Sequence, residues 1–124
     1  MHTITKKPEY WEIRFSGEVR ADGFIEAIND LMSQPGYPPS REMSRLDDCQ
    51  VLISAKEFGM LINAISLMYP ANARRTKTAM VVKLGVVAAI AKMWTEAAQI
   101  LPSHDFCVFS EVDKAEKWLA EQSN

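Results

Sequence analysis

Phe106-Cys107-Val108-Phe109-Ser110-Glu111-Val112-Asp113-Lys114-Ala115-Glu116-Lys117-Trp118-Leu119 is the stretch that decides the fold. Its first four residues form a continuous apolar run of strand length. Beyond Ser110 the apolar residues Ala115, Trp118 and Leu119 recur at helical spacing among charges. A strand-sized run feeding an amphipathic helix is the repeating unit of α/β architecture. The same grammar is legible upstream.

Ala79-Met80-Val81-Val82 is a second apolar run, of the kind found in strands covered on both faces. Val87, Ile90, Ala91, Trp94, Ala97, Ala98 and Leu101 then mark a helix that Pro102 stops. Before that run, Ser54-Ala55-Lys56-Glu57 has the form of a capping box. It opens a helix whose stripe is Phe58, Leu61, Ile62, Ile65 and Met68. Phe24, Ile25, Ile28, Leu31 and Met32 mark an earlier helix, ended by Pro35-Gly36-Tyr37-Pro38-Pro39. Tyr10-Trp11-Glu12-Ile13-Arg14-Phe15 alternates apolar residues with charges and predicts a half-buried strand, with Thr3-Ile4-Thr5 as its hairpin partner and Gly17 closing the section. Met43 to Cys49 carries only a partial apolar signal, yet the alternation of elements calls for a strand there. The expected order is β(β)αβαβαβα in one domain over residues 1–124. That order makes an α/β fold with a mainly parallel four- or five-stranded sheet, an antiparallel N-terminal edge hairpin and four flanking helices.

Bulk composition narrows the function classes. The chain has 124 residues, near the usual size of one domain. Such a chain buries roughly 65% of its unfolded surface, enough for a core without metals or disulfides. Fourteen basic residues against sixteen acidic ones leave a formal charge of −2, so no strong field draws the molecule to nucleic acid or an anionic membrane. The longest nearly uncharged stretch, Leu84 to Ala91, is too short to span a bilayer. Met1 to Lys7 lacks the apolar centre of a secretory signal. Cys49 and Cys107 do not make a disulfide framework. A cytoplasmic address is expected.

The residues also resemble a family. Phe15-Ser16-Gly17-Glu18-Val19 with Asp22-Gly23-Phe24-Ile25-Glu26-Ala27 is similar to the opening strand, glycine and first helix of the SpoIIAA-like proteins. Arg45-Leu46-Asp47-Asp48, Ala79-Met80-Val81-Val82 and the closing segment from Val108 to Leu119 resemble its later elements. These are small bacterial domains related to STAS anti-sigma-factor antagonists and to CRAL-TRIO lipid-binding folds. The resemblance implies a sheet backed by helices and no established enzyme activity. STAS antagonists carry a phosphorylatable serine within an Asp-Ser-Ser-Gly-like motif. Leu52-Ile53-Ser54-Ala55-Lys56 stands in that place with the serine but without the flanking aspartate, second serine and glycine.

Candidate sites are few, and each has a structural counterpart. Ser54 can accept a phosphate at a helix N-terminus, or serve only as the N-cap partner of Glu57. Asp47 and Asp48 stand near the carboxyl end of a predicted parallel strand, where open α/β sheets hold ligands. Adjacent strand residues point to opposite faces, however, so a regular strand keeps the pair apart. Arg74, Arg75 and Lys77 form a basic loop that can bind an anion, without interleaved aromatics to stack bases. His2 and His104 are isolated, so no metal is expected. Gly85-Val86-Val87 offers helix-opening amides without a phosphate-binding pattern. The methionines and Trp94 suit core filling, an apolar ligand cavity or a self-association face.

The expected function is a non-enzymatic binding or regulatory module without a cofactor, acting through protein contact or a small apolar ligand. A homodimer on a helix face involving Leu61, Ile65, Leu67, Met68, Tyr69, Met93 and Trp94 fits that reading. The alternatives are a small enzyme using Asp48 and a phosphorylation-switched antagonist using Ser54.

Overall fold

The structure is a computed structural model and describes residues 1–36, 41–68, 76–86, 89, 92 and 104–121. Its strands are β1 (His2–Lys6), β2 (Trp11–Phe15), β3 (Gly17–Val19), β4 (Arg41–Arg45), β5 (Cys49–Val51), β6 (Thr76–Val81) and β7 (His104–Phe109). The helices are α1 (Ala21–Met32), α2 (Ala55–Met68) and α3 (Val112–Ala120), with one 3-10 turn at Leu84–Val86. Five strands form a sheet in the order β1-β2-β4-β6-β7, in which β1 runs antiparallel and the others are parallel. The expected edge hairpin closes through Lys7 N–H, which donates to the Tyr10 carbonyl at 2.9 Å. The chain has the mixed α/β architecture expected of it. Among the described residues there are three helices rather than four, because the helix expected over 87–101 lies outside them except for Ala89 and Lys92.

Strand alternation divides the interior into two cores. Ile13 and Phe15 of β2 and Met80 of β6 face α1 and α2, meeting Phe24, Ala27, Ile28, Leu31, Phe58 and Leu61. The Phe15 and Phe24 rings stack at 5.3 Å and 3°. Met43, Ala79 and Val81 point the other way, onto Ala115 and Leu119 of α3. Because β6 serves both cores, it reads as a near-continuous apolar run.

The central strand β4 is different. Its sequence, Arg-Glu-Met-Ser-Arg, is mostly polar, yet Glu42, Met43 and Ser44 are buried. Thr78 Oγ1 donates to Glu42 Oε1 at 2.9 Å across the β4/β6 pair. That hydrogen bond offsets part of the penalty that bars charged residues from an inner strand. It also explains why the hydrophobic signal was weak and misplaced. The strand expected over Met43 to Cys49 is instead β4, a turn at Asp47-Asp48, and β5.

β3 and β5 pair parallel as a short second sheet beyond β2 and β4. Arg14 lies opposite Arg45, and Gly17 lies opposite Cys49. Two residues separate these positions on the first chain segment and three on the second, Leu46-Asp47-Asp48. The extra residue bends the ladder like a β-bulge. On the shorter side the bend falls at Gly17, whose φ of 73° favours glycine.

Lys77 fastens α3 to the sheet. It is 7% exposed, and its Nζ donates to the carbonyls of Trp118 at 2.7 Å and Glu121 at 2.9 Å. The ammonium also lies 4.5 Å from the Trp118 ring centroid. A cation thus meets the negative end of a helix dipole, sharing the Trp118 carbonyl with the Glu121 N–H, which donates to it at 3.2 Å. Lys77 therefore belongs to β6 and not to a solvated basic loop as its sequence neighbours suggested. Lys77→Met is expected to lower unfolding stability by about 2 kcal/mol in urea titrations, since charge-assisted bonds to two carbonyls at the end of α3 are lost. Trp118 fluorescence should redden before the main transition. An unchanged midpoint would show that α3 docks without this cap.

Candidate functional site

The carboxyl ends of β4 and β6 border an open cavity of about 330 Å³. Leu46 enters from the residue after β4, Val82 and Lys83 from the residues after β6, and Cys49, Gln50 and Val51 from β5. Ile53, in the lead-in to α2, and Ala89 complete the described lining. Parallel α/β sheets place ligands at this end of their strands. The wall is mainly aliphatic, with Gln50 and Lys83 exposed and polar. Lys83 enters no ion pair among the described residues. Cys49 is 6% exposed and its thiol donates to the Leu46 carbonyl at 3.4 Å. Burial pushes that thiol's pKa up, so it is neutral at physiological pH and behaves as part of the apolar wall.

The turn beneath the cavity is held by charge. Arg45 donates to Asp47 from Nε at 3.2 Å and from a terminal nitrogen at 2.8 Å. Its other terminal nitrogen lies 3.4 Å from Glu12 Oε1, and Lys7 Nζ lies 3.7 Å from the second Glu12 oxygen. The two-point fork is the geometry in which arginine holds a carboxylate best. Hydrogen bonds from Arg45 hold the Asp47 carboxyl below its ordinary 3.8, outweighing the opposing effect of burial. Arg45 is correspondingly shifted upward, first by its hydrogen bond to Asp47. Beside this group Tyr10 donates to Glu116 at 2.9 Å, and burial with that hydrogen bond pushes its pKa up to about 12.

Asp48 stands apart. Its side chain is 74% exposed and lies 3.8 Å from Arg14. The two aspartates do diverge, but through a turn and not through strand alternation. Asp48 thus has no cavity wall around it, and Asp47 is consumed in holding Arg45. Ser54 is exposed and completes the expected capping box: Glu57 N–H donates to Ser54 Oγ, and Ser54 N–H to Glu57 Oε1, both at 3.1 Å. These bonds lower the pKa of Glu57. Arg74 and Arg75 lie outside the described residues, as do Tyr69, Met93 and Trp94. His2 belongs to β1, and its Nε2 lies 2.8 Å from Asp30 of α1. Gly85 sits in the 3-10 turn. Among the described residues no group of three or more His, Cys, Asp or Glu could hold a metal. No described helix is long and apolar enough to cross a membrane.

The residues that the sequence reading missed are Gln50, Val51, Val82 and Lys83. A usable signal existed in Val82-Lys83: a polar residue directly after a buried parallel strand lies at the ligand-binding end. Val51 and Gln50 had none, because the bend that carries them over the cavity depends on Arg45 and Asp47.

No profile of a known protein family matches the chain, and no curated protein does. Among solved structures, it is similar to an uncharacterised DUF3478 family protein from Shewanella loihica PV-4 with a SpoIIAA-like fold. The TM-score is 0.62, covering 97% of this chain and 93% of that one, at 12% sequence identity. At this identity the likeness establishes the fold: the chain is SpoIIAA-like in architecture.

Asp47→Asn and Asp48→Asn should separate the two aspartates. The first removes the charge that Arg45 holds and is expected to destabilise the protein by about 1–3 kcal/mol in denaturant titration. The second should change stability by less than about 0.5 kcal/mol. Because the Asp47 pKa is depressed on folding, its stabilisation is present above the ordinary carboxylate range and is lost as pH falls through the lowered value. Wild type should therefore lose stability below about pH 4 more steeply than Asp47→Asn. Equal slopes would remove Asp47 from the structural role.

Proposed function

We propose that the protein is a non-enzymatic binding module that takes a small apolar molecule, with an anionic end, at the carboxyl ends of β4 and β6. The cavity between Leu46, Val51, Ile53 and Val82 is the observation that carries this reading. Its size lies at the lower end of small-molecule pockets, which are mostly apolar with a few orienting polar groups. Lys83 at the rim supplies the charge for an anionic end. Only Cys49 and Lys83 are titratable among the described lining residues. A neutral buried thiol and an exposed ammonium do not form an acid–base pair across a reacting atom. Asp48 adds none, since it faces solvent beside Arg14. Ser54 serves its helix as a cap: its hydroxyl accepts from Glu57 N–H while its own N–H donates to Glu57 Oε1.

Octanoate provides a direct probe, with Cys49 as reporter in a Cys107→Ser background. Bound octanoate should slow Cys49 labelling by a thiol reagent. Lys83→Met should weaken octanoate up to about fivefold, as expected for an exposed charge pair, while leaving octanol unaffected. Val51→Trp should fill the cavity and abolish protection with the melting temperature retained. Labelling rates that ignore octanoate, or protection that survives Val51→Trp, would remove the cavity as the binding site.

A further inference from the structure

The wall over the cavity is held from the opposite face of the sheet. Leu46, Cys49 and Val82 belong to the core under α1 and α2, with Val51 and Ile53 packed against it. Arg45 follows Met43 at i+2 on β4 and so shares its face, toward α3. Neither Arg45 nor its partner Asp47 is among the described lining residues. Backbone bonds fix the ends of the segment that forms the wall. Leu46 N–H donates to the Val81 carbonyl and Leu52 N–H to the Val19 carbonyl, both at 2.8 Å. Between these ends the two-point bond from Arg45 holds Asp47, and the side chains are only 17% and 26% exposed. Asp48 and Arg14, 74% and 52% exposed at 3.8 Å, make a weaker tie.

We propose that Arg45 and Asp47 are positioning residues for the ligand site, holding Cys49 and Val51 over it without touching the ligand. The inference rests on the binding reading given above. With the fork in place, the empty cavity is already shaped for its occupant, which lowers the ordering cost of binding. Without it, Asp47-Asp48 is released, and the wall from Leu46 to Val51 opens as a local unit while the sheet stays folded. Cys49, whose thiol donates to the Leu46 carbonyl, lies within that unit and reports its opening. A lysine in place of Arg45 keeps the charge but loses the fork, so Arg45→Lys acts like Asp47→Asn.

Thiol labelling of Cys49 in a Cys107→Ser background, over urea concentrations below the unfolding transition, separates local from global opening. A local opening exposes little surface, so its rate barely responds to urea, whereas labelling through global unfolding climbs steeply. Without ligand, Asp47→Asn and Arg45→Lys should each label at least about fivefold faster than the parent protein, with the shallow dependence. Both should need at least about threefold more octanoate for half-protection. Ligand-free rates that stay unchanged, or that rise only with the steep dependence, overturn the positioning role even if octanoate binds. So does an octanoate requirement equal in all three proteins. Octanoate that protects none of them, with the ligand-free acceleration present, sinks the binding reading itself and leaves Arg45 and Asp47 a purely structural pair.

Discussion

The pairing of Arg45 with Asp47 is the interaction on which the rest of the structure depends. A polar strand lies in the middle of a five-stranded sheet, and its charges need partners close at hand. Arg45 reaches Glu12 on the neighbouring strand with one terminal nitrogen, and its two-point bond to Asp47 forms where the chain turns back at Leu46-Asp47-Asp48. That turn inserts the extra residue between the β2/β4 and β3/β5 pairings. The ladder bends, and Cys49, Gln50 and Val51 come over the ends of the parallel strands. The cavity follows from this bend.

The opposite side of the sheet depends on different chemistry. Nine residues of α3 are too few to be stable as an isolated helix. Its apolar face, Ala115 and Leu119, packs on Met43, Ala79 and Val81. Lys77 satisfies its carboxyl end and Tyr10 holds Glu116. Tyr10 raised to about 12 stays protonated and donating throughout the physiological range. The α3 side thus adds polar contacts from β6 and the residue before β2 to its apolar packing, while α1 adds the His2–Asp30 contact to its own.

How far the sequence could be read differs from element to element. Periodicity located β2, β6, β7 and all three described helices, because each buries a regular face. Ser54 and Glu57 announced their reciprocal bonds, since a capping box joins groups only three residues apart. The same logic failed for β4. Its buried Glu42 is matched by Thr78 from a distant strand, and no local window contains both residues. Lys77 read as solvent-facing beside Arg74 and Arg75, because its acceptors lie more than forty residues away. The candidate site suffered likewise: the aspartates near the strand end were visible, but the cavity wall was not.

By itself, the sequence determined the α/β class, the antiparallel edge hairpin and the capping box, since these rest on contacts within one turn, one strand or one tight loop. Tertiary structure alone decided that Asp47 anchors Arg45 while Asp48 faces water, and that Lys77 is buried under Trp118. It also decided that Leu61 turns inward while Met60 and Leu67 turn outward. The physical reason is common to all of these. A side chain's environment is set by which remote groups desolvate it or bond to it, and local spacing carries no record of them.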